Sequence, residues 1–586
     1  MALNAFVVRH PSVWLGAAPV IGLAALSTTP PLIPLTVLLS VLHLHVHTIL
    51  PRGYLISHGG TQVVLLSLAA SLAHLGASLD ALSTRAVSIL LLAALSALTS
   101  LVSLATIVLS YYANRAVSTP WSKLTLFPAV WATVWGTIAY ISPVGRLITW
   151  SPSVGLGPYE WIRPILGQWG IDWIVAAWAV VCAETIGNWL VGPAGDDLDA
   201  TPEQEQIVSF AADDVPDLTG TSAAPAPRET PMSARARARS VLAVLLVALA
   251  MPPLLMSPLP DTSLSANTTP LTVGCVLPFP HRNGESTQAP TLDDYINELD
   301  QIRSTGDIFL WPESAVRFET EKDKREAFAR IRKVAGGKKL VGVSYEEYVL
   351  PDRSKGEHGP GIRQNSFALL RFESKEPVLN YTKRMLVPVA ESFSLTPSSE
   401  PPSIYTWDMP AHSDWSKTGW GPDGTRPISV TASICLDFSS AASFGALDTR
   451  PALVFAPART WHVGVGVAMW EQARARAEEL GTTVLWCDGG EGGVSGVAGR
   501  GMQEYMQVGQ GSWLRRIGTP YPYDERRTMF AAGGAYVALA AVWGVTGIGA
   551  VLEVGLVAFG GKAGALIRLI KKRRAQRAAD EAPLLG

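Results

Sequence analysis

Long apolar runs dominate the first 260 positions of the chain, and the polar residues between them are few and clustered. About twenty apolar residues in helical form cross a hydrocarbon layer of roughly 30 Å. On that basis the pattern predicts spans near 13–27, 31–50, 61–80, 86–112, 124–142, 171–193 and 240–258, with an eighth near 529–558. The first is short. It reads as a retained span rather than a cleavable signal, because a second apolar segment follows at once and its basic flank is Arg9 alone. From about 260 to 528 the apolar runs become short and alternate with amphipathic stretches. Positions 271–276, 307–311 and 339–345 read as strands, and 292–302 and 321–335 as helices. Such alternation predicts stacked sheets covered by helices.

The resulting plan is a helical membrane domain over 1–194, an acidic loop over 195–239, the seventh span, an α/β domain over 260–528, the eighth span and a basic tail over 559–586. The loop is rich in Asp, Glu, Ala, Pro and Ser and has too little apolar surface to fold, so disorder is expected there. Arg235, Arg237 and Arg239 stand before the seventh span, and Lys562, Arg568, Lys571, Lys572, Arg573, Arg574 and Arg577 follow the eighth. Basic clusters stay cytoplasmic, which puts the α/β domain on the opposite side and the N-terminus in the cytoplasm. Arg85, Arg146 and Arg163 run against this rule, which holds in sum.

Composition agrees. The 586 residues are 48% hydrophobic and 16% charged, where a soluble protein carries about a quarter charged residues. A net charge of −2 excludes bulk attraction to nucleic acid. The four cysteines, Cys182, Cys275, Cys435 and Cys487, are too few and scattered for a disulfide framework. Cys182 and Cys275 read as packed core thiols, and Cys487 as a weak second candidate for a reactive one.

Three segments carry candidate chemistry: Trp311-Pro312-Glu313-Ser314, Tyr381-Thr382-Lys383 followed by Leu386-Val387-Pro388, and Ile434-Cys435-Leu436-Asp437. Each puts one reactive side chain (Glu313, Lys383, Cys435) at or near the end of an apolar run. A thiol attacks an acyl carbon as thiolate and so needs a base or a positive field. The resulting oxyanion needs a donor, which a Lys can supply. Taken singly, each also fits a bland role: a loop carboxylate, a snorkelling Lys, a packed thiol.

Those three residues in that order resemble the nitrilase, or carbon–nitrogen hydrolase, superfamily, whose catalytic set is Glu, Lys and Cys. The stretch from Tyr381 to Glu391 is similar to the Tyr-x-Lys-x-x-Leu-Val-Pro-x-Gly-Glu segment of bacterial apolipoprotein N-acyltransferases, and Arg474 to Gly481 to their Arg-rich helix. The resemblance implies a four-layer α-β-β-α sandwich beside a multispan α-helical membrane domain. It implies a catalytic Glu313, Lys383 and Cys435, with Glu391 in support and Trp461 against the substrate. It further implies an acyl chain drawn from phospholipid, held as a thioester and passed to an amine. Departures fall around the acceptor pocket. Ala390 replaces Gly, Leu436-Asp437 replaces Tyr-Glu, the Asn-Asp-Ala-Trp-Phe segment keeps only Trp461, and an Asn-rich turn becomes Asp488-Gly489-Gly490. Discharge of the thioester by water, making a membrane-anchored amidase, and a non-catalytic scaffold are the alternatives.

No cofactor is expected. His43 and His47 share a helix face with His45 nearby, but no carboxylate or Cys accompanies them, so no metal site is assigned. Asn267-Thr268-Thr269 and Asn380-Tyr381-Thr382 fit the N-glycosylation triplet, and the stretch from Asp580 to Leu585 fits an acidic dileucine sorting signal. These lean towards a eukaryotic endomembrane or vacuole; in a bacterium the inner membrane would be the site.

Overall fold

The structure is a computed structural model that describes residues 10–82, 84–191, 234–256, 261–283, 286–350, 361–411, 420–421, 423–491, 493–499 and 504–549, with 7 and 551. The N-terminal helices are α1 (Ser12–Ala25), α2 (Leu32–Ile49), α3 (Gly60–Ser78), α4 (Arg85–Ala113), α5 (Pro120–Ile141), α6 (Arg163–Val191) and α7 (Ala234–Leu249). The α/β domain adds α8 (Leu292–Ile302), α9 (Glu321–Ala335) and α10 (Val463–Leu480), and α11 (Met529–Gly549) returns to the bundle. Among the described residues, seven helices are long and apolar enough to cross a membrane, and α1 is a shorter apolar one. Leu68, Leu72, Leu90, Leu101, Leu109 and Val244 point outward and exposed. An apolar belt of that kind needs a nonaqueous neighbour.

Two expected boundaries shift. The sixth span, expected from 171, is preceded by a short helical stretch from Arg163, joined to it across a break at Gly167 (φ 58°). A Cβ on Gly167 would lie 2.5 Å from the ring of Phe530 in α11, so only glycine lets the two helices touch there. Positions 234–239, expected in the disordered loop, form the first turns of α7. Alternating Ala and Arg favour helix, and Arg235 pairs with Glu184 of α6 at 2.5 Å. The rest of that loop and the basic tail lie outside the described residues.

The strands are β1 (Thr268–Cys275), β2 (His281–Asn283), β3 (Ser286–Gln288), β4 (Ile308–Leu310), β5 (Val316–Phe318), β6 (Leu340–Val349), β7 (Ile362–Arg371) and β8 (Leu379–Thr382), then β9 (Tyr405–Pro410), β10 (Thr425–Ala432), β11 (Leu453–Ala458), β12 (Thr483–Asp488), β13 (Val494–Ala498), β14 (Tyr505–Val508) and β15 (Trp513–Pro520). One sheet runs β15-β1-β4-β6-β7-β8, with β5 beside β6; the second runs β14-β13-β12-β11-β10-β9. Their inner faces share one core, in which Phe367 stacks on Phe455 across the gap. The outer face of the first sheet is covered by α8 and α9 through Leu299, Phe328 and Ile331, and that of the second by α10 through Trp470 and Ala473. The order of layers is therefore α-β-β-α. Helix α8 is set by its sequence: Thr291 and Asp294 form a reciprocal capping box.

The expectation for Cys275 and Cys487 is corrected. Both are buried on the inner faces of β1 and β12, with Cα atoms 5.5 Å apart, and they form a disulfide between the two sheets. A separation of 212 residues hides this pairing from a reading of spacing. Cys182 and Cys435 remain free.

The α/β domain sits on one end of the bundle. Arg146, after α5, meets Glu479 of α10 at 2.7 Å, and Glu160 meets Arg474 at 2.7 Å. The Trp461 indole donates to the carbonyl of Ala77 at 3.0 Å.

Candidate active site

Glu313 lies three residues past β4, where its backbone N–H donates to the Ala458 carbonyl at the end of β11 in the facing sheet. Lys383 follows β8 directly and is pinned by its N–H to Asn365 of β7. Cys435 opens a short 3₁₀ turn after β10. The ends of three strands from two sheets thus deliver the three side chains to one place, all of them buried.

Their tips touch. Lys383 Nζ donates to Glu313 Oε1 at 2.7 Å and to both Glu391 oxygens at 2.7 and 2.8 Å. Cys435 lies close enough to Glu313 and Lys383 for both charges to bear on its thiol, with the backbone of Arg459 beside it. Glu391 also accepts from the N–H of Val387 at 2.8 Å, which locks the loop it stands on. Non-glycine residues with positive φ number three among the described residues: Ser314 (51°), Val389 (69°) and Cys435 (42°). All three are at the site, where strained backbone aims side chains the strands alone would not.

Burial sets the electrostatics. It pushes the Glu313 carboxyl up; the Lys383 ammonium opposes this and Glu391 adds to it. Burial pushes the Cys435 thiol well up, helped by Glu313 and opposed by Lys383. Lys383 is held firmly protonated: burial works against its charge, but Glu313, Cys435 and Glu391 outweigh it. Burial thus disfavours the charged form of both the thiol and the carboxyl, while Lys383 keeps its charge.

Several residues here escape sequence reasoning. Asn365 of β7 donates to Glu313 Oε1 at 2.7 Å. Asp437, two residues after the thiol, is fully buried. It accepts from the N–H of Ile434 at 3.0 Å, the N–H of Met385 at 2.8 Å and the Tyr381 hydroxyl at 2.7 Å. It thereby staples the nucleophile turn to the Lys383 segment. Asp488 accepts from the Thr460 N–H at 2.9 Å and its hydroxyl at 2.6 Å, fixing the loop that presents Arg459. The visible signal was the departure of Leu436-Asp437 and Asp488-Gly489-Gly490 from a known pattern, without a partner to explain it.

Two cavities meet at this point. A pocket of 250 Å³ is lined by Glu313, Glu391, Arg317, Arg363, Ala390 and Arg459. A larger one of 480 Å³ runs between the helix ends and the α/β domain, with Leu91, Leu92 and Leu95 of α4 on one side and Val387 to Ala390 on the other. Ala390 lines both. Trp461, expected against the substrate, lies on the wall of the larger cavity and is 38% exposed. Cys487 is tied up in the disulfide and cannot act as a second thiol.

No protein-family model matches the chain, and comparison with curated proteins returns no match. Solved structures do match part of the chain. NitN amidase from Neterenkonia sp. AN1 aligns over 46% of this chain and 95% of its own, at 16% identity and TM-score 0.31. Saccharomyces cerevisiae Nit3, a member of branch 10 of the nitrilase superfamily, covers 44% and 93% at 13% identity and TM-score 0.31. The C. elegans NitFhit protein covers 42% and 60% at 15% identity and TM-score 0.27. Each match spans less than half of this chain.

Proposed function

We propose that the chain is a membrane-embedded, thiol-dependent acyltransferase that takes an acyl group from phospholipid and passes it to an amine. The observation that carries this is the shared wall at Ala390: an apolar cavity bordered by the long helices lies beside the pocket lined by Glu313 and Glu391, the two carboxyls that hold Lys383. Ligand cavities of about 300–1,000 Å³ with a few convergent polar groups are typical binding sites. A hydrolase of small soluble amides would need neither the cavity nor the helices.

In the first half-reaction Glu313 takes the Cys435 proton as the sulfur attacks the acyl carbonyl. Lys383 holds the oxyanion, and the lysolipid leaves with the proton from Glu313. In the second an amine attacks the thioester carbon, giving its proton to Glu313, and the sulfur departs as thiol. A general base typically contributes roughly 10²–10⁴-fold and one oxyanion donor roughly 10²–10³-fold. Glu391 supports the reaction by keeping Lys383 charged and aimed.

The test is incubation of the purified full chain with phospholipid vesicles, read by intact mass, with Cys435→Ala as control. A mass gain of one acyl group on Cys435 that an amine discharges is the expected result. Rapid discharge by water alone would make the protein an amidase, a reading favoured by the polar 250 Å³ pocket. No adduct from any acyl donor would leave a scaffold.

A further inference from the structure

We infer that the amine acceptor is a zwitterion, its ammonium drawn to the carboxylates at the pocket floor and its carboxylate or phosphate held by Arg459. This rests on the acyl-transfer reading of Cys435. At the floor, Glu313 and Glu391 share the single cation Lys383, two carboxyls to one ammonium. Around the floor the two cavities set Arg317, Arg363 and Arg459 against Glu319, Asp323 and Glu346, and all of these but Arg459 are already engaged. Arg317 meets Glu346 at 2.9 Å, and Arg363 meets Glu319 at 3.4 Å. Asp323 is engaged by the Thr320 hydroxyl at 2.7 Å. Arg459 is exposed and has no carboxylate partner among the described residues. Its backbone lies beside Cys435, and the residue lines the same pocket as Glu313 and Glu391.

That side chain lines both the 250 Å³ pocket and a neighbouring 570 Å³ cleft. The cleft is walled by the α/β domain alone, by Leu292, Val316, Phe318 and their neighbours, whereas the bundle borders the 480 Å³ cavity. Donor and acceptor thus have separate approaches: an apolar one along the helices, and a charged one past Arg459. A guanidinium fork matches the paired oxygens of a carboxylate or phosphate. A neutral amine would leave it unused. In the transfer itself, the bound ammonium sheds one proton to solvent. Its nitrogen then forms the C–N bond as the C–S bond breaks, and the second proton passes through Glu313 to the departing sulfur.

The experiment charges Cys435 of the full chain with p-nitrophenyl butyrate, removes excess ester, and adds β-alanine, O-phosphoethanolamine or β-alaninamide, which keeps the ammonium and lacks the anion, at equal concentration. Loss of the thioester and gain of the amide product are followed by mass spectrometry. At least one of the two zwitterions should discharge the thioester roughly tenfold faster than β-alaninamide, and whichever is faster identifies the anion. In Arg459→Gln that ratio should collapse towards one, and in Arg459→Glu it should invert. Because the readout is a ratio within one variant, a general loss of activity does not imitate it. Equal rates for the zwitterions and β-alaninamide in the unaltered protein, or a ratio that survives Arg459→Gln, would overturn the inference. Failure of any ester or lipid to charge Cys435 would instead sink the acyl-transfer reading beneath it.

Discussion

The helical bundle is a structural part of the site, and Gly145→Ala tests this. Gly145 follows α5 and packs on the turn that begins with Cys435. It adopts φ 55°, and a Cβ built there would lie 2.3 Å from the Ser439 carbonyl oxygen and 2.6 Å from its carbon. Left-handed backbone costs an alanine about 1–2 kcal/mol. The contact costs more, because the obstacle is backbone and no rotamer change relieves it. Restoring ordinary contact moves the turn by about 1 Å, and misplacement on that scale costs a reaction about 10²-fold. Gly155→Ala is the matched control: its φ is 76°, but its nearest neighbour would be 3.8 Å away. The assay is the rate of Cys435 acylation by an activated ester, with the thermal midpoint measured in parallel. Gly155→Ala should lose stability alone, while Gly145→Ala should also acylate about 10- to 100-fold more slowly. Equal acylation rates in the two variants would refute the idea that the bundle positions the nucleophile.

Lys383→Met should abolish acylation and lower stability by about 3–5 kcal/mol, since Glu313 and Glu391 would face each other without a cation; thermal unfolding reads it. Thiol titration of denatured, unreduced protein should find two free cysteines, Cys182 and Cys435, and four after reduction. Removing the bridge with Cys275→Ala and Cys487→Ala should lower unfolding free energy by about 5 kcal/mol on a chain-entropy basis. Glu313 acts as base only when ionised, and burial raises its pKa, so acylation should fall as pH drops through a value above the ordinary 4.5. Asn365→Leu removes a donor that favours the ionised form, and should move this acid limb further up.

What the sequence made legible follows from local physics. Short apolar runs placed β1, β4 and β6 within a few residues, and the apolar segments before 260 placed the helices, because burial writes periodicity into neighbouring positions. Glu313, Lys383 and Cys435 were visible because each ends such a run. Asn365, Asp437 and Arg459 were not, for a common reason: their partners come from other strands. Asn365 acts on a carboxylate 52 residues away, and Asp437 on a hydroxyl 56 residues away. The disulfide was missed on the same ground. Gly145 is the extreme case, since its importance lies in contact between two domains.

The backbone strain at the site has a physical consequence for how the two cavities relate. Positive φ at a β-branched residue costs of order 1–3 kcal/mol and persists only where the surroundings over-determine it. Around Val389 the loop is held by its own backbone, the Ala390 N–H donating to the Pro388 carbonyl at 2.8 Å and the Glu391 N–H to the Val387 carbonyl at 2.9 Å. The Val389 N–H donates to the Ser392 hydroxyl at 3.0 Å, and Glu391 takes the N–H of Val387 two residues before it. Its side chain borders the apolar cavity and is 44% exposed. The same Glu391 is one of two carboxylates that hold Lys383. The segment from Val387 to Glu391 is therefore both a wall of the apolar cavity and the mount of the cation's partner. Cavity and charge cluster share one strained loop, so neither can change shape independently of the other.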